Sequence, residues 1–175
     1  MNDLRMAAAK ECGEELEFLC VRMPDAVYGF ELACIREIIW NSRITPVPCV
    51  PEYYEGLCNW KGTIIPAASL NRMTGEEESA AGDQPVIVIA EAGTLQCGFL
   101  VQEEPEILRV PAEARLSGDT PERIGEILKI KAAYAGEQEV VYEIDTEGTL
   151  KCMVVFDCPG LIRRSVKEKR SRFRL

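Results

Sequence analysis

The chain contains no histidine, which removes both the commonest general base and the commonest metal ligand. It also has no G-x-S-x-G, no P-loop and no G-x-G-x-x-G spacing, so it offers neither a hydrolase nucleophile elbow nor a phosphate cradle. Eight cysteines are present, at 12, 20, 34, 49, 58, 97, 152 and 158, yet no two form a C-x-x-C pair. Without such pairs or a histidine, a zinc site is not expected. Only Cys152, beside Lys151, has a basic sequence neighbour that could favour a thiolate. Cys20, Cys97 and Cys152 fall in strand-like patterns and read as small buried hydrophobes. The expectation is no enzyme, no cofactor and no metal.

Long apolar runs are missing too. The longest aliphatic stretch, Val86 to Ala90, is far below the roughly 20 residues a spanning helix needs, and Met1 to Gly13 lacks the pattern of a secretory signal. A cytoplasmic protein with reduced cysteines is expected. Positive charge is in deficit: Lys and Arg total 20 against 29 Asp and Glu, for a net charge of -9 and a pI near 4.7. That balance argues against nucleic acid, which needs a basic face. Tyr53, Tyr54 and Trp60, the aromatics that would have to stack on bases, lie among Glu52 and Glu55. The deficit is uneven. From Arg163 onward come Arg163, Arg164, Lys167, Lys169, Arg170, Arg172 and Arg174 against a single Glu168, which reads as a solvated extension.

What is present is strand chemistry. With 175 residues, 47% of them apolar, the chain can bury one substantial core or two small lobes. Leu16 to Met23 is strand-like with imperfect alternation, Pro24-Asp25 signals a turn, and Val27 to Phe30 returns as the second arm of a hairpin. Glu31 to Cys34 suits one helical turn before Ile35 to Trp40, whose β-branched content favours a strand. Period-two alternation would put Ile35, Glu37 and Ile39 on one face. A carboxylate between two isoleucines then needs a cation or a surface groove.

Residues 51–70 are the most informative. Asn59 to Gly62 supplies turn chemistry between Gly56 to Cys58 and Thr63 to Leu70, which can pair as a hairpin. Pro66 has no N–H and should sit at an edge or a bulge. Val86 to Glu91, the Ala-Gly-Thr turn and Leu95 to Val101 form a further hairpin pattern, and Glu103 to Val110 follows. Met73 to Pro85 reads as a surface loop. Thr120-Pro121 could cap a helix through Lys129. Against that, Pro121 to Leu128 looks like a faint copy of Pro51 to Cys58, and Gly148 to Cys158 echoes Gly62 to Leu70, as an internal duplication would produce. Ile130 to Glu147 would then hold an added pair of strands around Gly136-Glu137.

Tyr28-Gly29-Phe30-Glu31-Leu32-Ala33-Cys34-Ile35-Arg36-Glu37-Ile38-Ile39, followed by Gly56, Asn59, Gly62, Ile64, Ile65, Pro66 and Leu70 at the right spacing, resembles the signature of CheW-like domains, from about Leu16 to Ile162. Two positions depart from the family pattern: Lys61 where it usually has Arg, and Ser69 where it usually has Asp. The resemblance implies an all-β fold of two small five-stranded barrel lobes with strands crossing between them. It implies an N-terminal extension (1–14), the domain proper (15–162) and the basic tail (163–175). Functionally it implies a non-catalytic adaptor of bacterial chemotaxis, held in the cytoplasm at receptor arrays, between a chemoreceptor cytoplasmic tip and the regulatory domain of a CheA-type histidine kinase. Ile35, Glu37, Ile38, Asn59, Lys61 and Gly62 become the expected receptor-binding groove, with Gly56, Ile64, Ile65 and Pro66 as the structural strand-and-turn motif. It also transfers a Glu37–Lys61 ion pair, less rigidly oriented than one with Arg. Departures at Lys61 and Ser69 leave a non-flagellar chemosensory pathway open. From a different class, a cysteine-rich β-barrel binding a small ligand or metal is the alternative.

Overall fold

The computed structural model describes residues 13–76, 86–125 and 127–155. Among these residues, twelve strands build two sheets: β1 (Glu15–Arg22), β2 (Val27–Glu31), β3 (Ile35–Trp40), β4 (Ile44–Thr45), β5 (Tyr54–Trp60), β6 (Thr63–Ser69), β7 (Val86–Ala92), β8 (Leu95–Val101), β9 (Glu106–Pro111), β10 (Arg123–Ile124), β11 (Leu128–Ala135) and β12 (Val140–Ile144). Among the described residues there are also two helices, α1 (Leu70–Thr74) and α2 (Thr146–Val155), and 3-10 turns at Leu32–Cys34 and Ala112–Ala114. One sheet runs β4-β5-β6-β8-β7-β3 and the other β10-β11-β12-β2-β1-β9. The first is cut from one continuous stretch and is called the inserted lobe. The second takes strands from either side of it and is called the split lobe.

Position for position, the two orders are the same, with β6–β8 and β12–β2 as the parallel pair in each. All-β is therefore the class, but each ladder is an open six-stranded sheet rather than a five-stranded barrel, and each strand belongs to one sheet. The two halves repeat one strand order, in a register different from the one expected of a duplication. Gly56 on β5, beside the irregularity that follows Tyr54, matches Ala132 on β11, beside the one that follows Ile130. Gly29-Phe30 on β2 matches Gly98-Phe99 on β8. Gly29 pairs with Cys20 of β1, Gly98 with Ile89 of β7. A Cβ on Gly29 would stand 2.9 Å from the Phe18 side chain, and one on Gly98 2.7 Å from that of Ile87, so both copies need the bare backbone. The strands around Gly136 are β11 and β12, the counterparts of β5 and β6 and not an addition. Gly148 to Cys158 is no strand: its described part lies in α2, which follows β12 as α1 follows β6. Nor does Thr120 start a helix; β10 and β11 occupy that stretch.

Burial on both faces explains the imperfect alternation of β1. Leu19 and Val21 enter the large core between the lobes, while Phe18 and Cys20 enter a small core inside the split lobe. The equivalent strand β7 divides likewise: Val86, Val88 and Ala90 face the shared core, Ile87 and Ile89 a small core inside the inserted lobe. Phe30 and Phe99, fully buried at matching places, meet across the junction with ring centroids 5.3 Å apart, a separation typical of favourable aromatic pairs. α1 and α2 cover this shared core with Leu70, Met73, Leu150 and Met153. Cys20 and Cys97 are buried in strands and fill cores as expected, and Cys58 does the same, whereas Cys152 is half-buried on a helix, α2, and not in a strand.

Two expectations shift locally. Strand β3 carries an irregularity between Ile35 and Glu37, so a bulge reverses the alternation. Ile35 and Ile38 pack toward the shared core, and Ile39 toward the core of the inserted lobe. Pro66 lies within a sheet whose β6 is flanked on both sides, but Leu57 of β5 is its paired residue and the β8 ladder begins only at Ala67. It thus occupies a stretch paired on one side, where no donor is missed.

Candidate functional site

The inserted lobe curls until its two ends meet, and the contact is made by side chains. β3 and β5 are separated by three strands in the ladder, yet Trp60 Nε1 at the end of β5 donates to Glu37 Oε2 on β3 at 2.7 Å. Lys61 Nζ, on the next residue, lies 3.3 Å from the same oxygen and 5.7 Å from the centre of the Trp60 ring. Ile39 and Trp60 close the small core beneath. The Trp60 N–H and, after it, Lys61 hold the Glu37 carboxyl below its ordinary pKa, as donors to a charged form do. At neutral pH the clasp is therefore ionic and faces water, with the Lys61 side chain 72% exposed.

A tight turn sets the geometry. Trp60 pairs with Thr63, leaving Lys61 and Gly62 as the two turn residues, both at positive φ (50° and 83°), the signature of the type I′ hairpin. Asn59 stays in the strand, and it serves the turn through its side chain, Oδ1 accepting from the Gly62 N–H at 2.8 Å. Lys61 accepts the left-handed conformation. Gly56 is the tightest position in the lobe: its φ is 145°, and a Cβ would lie 2.1 Å from the Thr45 carbonyl oxygen.

Of the six expected groove residues, the structure brings Glu37, Asn59, Lys61 and Gly62 together at this clasp. Ile35 and Ile38 point the other way, half-buried against the shared core. Among the motif residues, Ile65 is buried in the lobe's own core while its neighbour Ile64 is 60% exposed. Ile64 pairs with Asn59, and with exposed Leu57 it lines an apolar hollow of about 290 Å3 whose rim holds Arg43 and Thr45. Ser69 is buried and acts as the N-cap of α1, its Oγ accepting from the Arg72 N–H at 3.4 Å. Asp and Ser both serve that role, so the Ser69 departure concerns a helix cap and not the outer surface.

Sequence reasoning missed Trp60 as the first partner of Glu37. The signal was its place directly before Lys61 in the turn. Cysteine chemistry finds little support among the described thiols: burial pushes Cys20 up to about 12 and raises Cys58, Cys97 and Cys34 as well, which keeps them protonated and poorly nucleophilic. Among the described residues no group of three His, Cys, Asp or Glu is placed to hold a metal ion, and none of the helices is long and apolar enough to cross a membrane.

Comparison with known proteins adds the rest. A family model described as the CheW-like domain matches residues 17–152. The chemotaxis protein CheW of Thermotoga maritima is 30% identical over 100 residues, covering 55% of this chain and 64% of its own. That of Treponema pallidum is 24% identical over 104 residues (57% and 61%), and protein FrzA of Myxococcus xanthus 24% over 105 (60% and 66%). The match thus spans less than two thirds of each relative's length. The crystal structure of the scaffolding protein TtCheW from Thermoanaerobacter tengcongensis superposes with a TM-score of 0.66 at 19% identity, over 75% of this chain and 90% of the other, a likeness of fold.

Proposed function

The chain belongs to the CheW-like family, and from that premise we propose that it is a non-catalytic adaptor of chemotaxis signalling. It couples chemoreceptor cytoplasmic tips to the regulatory domain of a CheA-type histidine kinase by protein–protein contacts, in the cytoplasm at receptor arrays. The observation that carries this reading is the clasp: Glu37, Trp60 and Lys61 form an exposed, charged and aromatic cluster beside Asn59, Gly62 and the apolar Leu57 and Ile64. Binding energy at protein interfaces concentrates in such aromatic and charged anchors bordered by apolar surface. Ile35 and Ile38 contribute from beneath, by fixing how β3 presents Glu37.

The test is a pull-down of the full chain against a kinase regulatory domain and a receptor cytoplasmic fragment from the same genome, wild type beside Lys61→Glu. Both partners should bind wild type, and the variant should lose at least ten-fold toward the receptor with kinase binding retained. Failure of wild type to bind either partner would remove the adaptor reading. Equal losses toward both would move the clasp out of the receptor site.

A further inference from the structure

Where the end of α1 meets the split lobe, the surface opens into a cavity of about 600 Å3, a size usual for small-molecule sites. The inserted lobe lines it with Glu52, Tyr53 and the residues that end α1, the split lobe with Gly125 and Ile127. Backbone contacts hold these walls in place. Gly125 stands at φ 62°, and a Cβ on it would lie 2.1 Å from the Met73 carbonyl oxygen, so the split lobe presses directly on the last turn of α1. Gly75 ends that helix in the left-handed conformation, its N–H donating to the Arg72 carbonyl at 3.2 Å and the Glu76 N–H to the Asn71 carbonyl at 2.9 Å. This Schellman closure fixes the point from which the Glu76 side chain departs.

The Glu76 carboxylate is the group this arrangement leaves unsatisfied. Its Oε2 is buried and has no hydrogen-bond partner, whereas buried acceptors ordinarily have one. Burial, and after it the charge of Asp25, raise the Glu76 pKa; burial, and after it Glu76, push the Tyr28 hydroxyl up to about 12. Among the described residues one cation lines the cavity, Arg72, and its guanidinium is engaged at the rim, donating to the Glu52 carbonyl at 3.0 Å and pairing with Glu55 at 3.1 Å. Tyr53, buried, supplies an aromatic wall whose ring lies 4.7 Å from that of Tyr54. A carboxylate lacking a donor, beside an aromatic ring, is complementary to an organic cation.

We infer that this cavity binds a small organic cation with a guanidinium head, which donates to Glu76 Oε2 and lies against the Tyr53 ring. A guanidinium fits better than an ammonium, since its planar fork can pair with a carboxylate and stack on an aromatic face together. The site shares no residue with the clasp at Glu37 and Lys61 and does not depend on the adaptor reading.

Titration of the 15N-labelled full-length protein with butylguanidinium at neutral pH, followed by amide NMR, reads the site directly. Saturable shifts should centre on Tyr53, Gly75, Glu76 and Gly125, with a dissociation constant of about 1 mM or tighter. Butylurea, neutral and of the same shape, should bind at least ten-fold more weakly. Glu76→Gln keeps the shape and removes the charge, and should cost at least ten-fold; Tyr53→Leu should cost at least two-fold. Binding needs the ionised carboxylate, so wild-type affinity should be constant above the raised pKa of Glu76 and fall as pH drops through it. That arm needs no variant, and Glu76→Gln should abolish the dependence; a fall that persists in it would point to Asp25 or Glu52 instead and overturn the assignment. Equal binding of butylurea, shifts centred elsewhere, unchanged affinity of Glu76→Gln, or no saturation would each overturn the proposal. Tighter binding of the tripeptide Gly-Arg-Gly than of butylguanidinium would assign the cavity to an arginine of a protein partner and overturn the small-molecule reading.

Discussion

The two lobes share a strand order and close it differently. In the split lobe the chain beyond β9 comes back to β11 through backbone: Arg115 bridges Tyr134, and the Leu116 N–H donates to the Ala133 carbonyl at 2.8 Å. In the inserted lobe the corresponding gap is spanned by the side chains of Glu37, Trp60 and Lys61. Each lobe also joins a carboxylate to an aromatic donor. In the split lobe that carboxylate is buried: Glu143 accepts from the Tyr134 hydroxyl at 3.1 Å, with Lys131 at 3.4 Å and 7% of its side chain exposed. The lesson is that the same carboxylate-to-aromatic bond is structural where it is sealed and available to a partner where it is open. A backbone closure offers nothing to recognise, whereas a side-chain closure can be contacted, titrated and varied.

The comparison breaks most severely where the lobes share a core. Phe99→Ala should cost about 3–5 kcal/mol, the usual loss for a buried Phe, and in urea both lobes should unfold in one transition at a lower midpoint. Loss of the inserted lobe alone would show that the duplicated Phe30–Phe99 contact does not couple them. A smaller effect separates the two carboxylates. Tyr134→Phe leaves buried Glu143 without its hydroxyl donor and should cost about 1–3 kcal/mol, while Glu37→Gln keeps an acceptor for Trp60 at the surface and should leave the urea midpoint where it was. Equal shifts would mean that the clasp is structural too.

Smallest of all is the effect of pH on the clasp. The pKa of Glu37 is lowered in the folded chain, so its contribution is complete above the ordinary carboxylate value of 4.5 and is lost as pH falls through the lower folded value. Trp60 fluorescence, read in a Trp40→Phe background, should be flat from pH 7 to 5 and change only below 4.5. Lys61→Gln should move that midpoint upward. A wild-type midpoint above 4.5 would contradict the hydrogen bond from Trp60.

Most of the strands were legible because their signals are local. Ile35 to Trp40 and the arms around Lys61-Gly62 and Gly93-Thr94 carry their own β-branched runs and turn residues. The contacts that make the candidate site were less so. The bulge after Ile35 depends on pairing with β7, and it moved Ile35 away from Glu37 to the face that Ile38 already occupies by alternation. Trp60 reaches Glu37 only because an entire sheet curls, which no periodicity records. The misplaced repeat has a simpler cause. Proline and glycine positions were matched, while the steric constraint is the Gly-Phe pair at 29–30 and 98–99. In the second half Asp145 begins a helix, accepting from the Gly148 N–H at 2.9 Å through its side chain, an N-cap signal that the matching of glycines overrode.

The nesting of one lobe inside the other has a kinetic side. Residues 35–101 make every ladder of their sheet among themselves, whereas β2 and β12 must join Val27 to Val141 across the entire insertion. Closing a loop costs entropy that grows with the logarithm of its length, about 0.6 kcal/mol per doubling, and long-range pairings form slowly. An inserted lobe that has already condensed shortens that search by holding residues 31 and 106 near each other. Pulse-labelled hydrogen exchange during refolding should therefore protect β5 to β8 before the β12–β2 pair, and simultaneous protection would assign nucleation to the shared core instead. On this account the lobe that presents the clasp also serves as the template on which the other half of the molecule assembles.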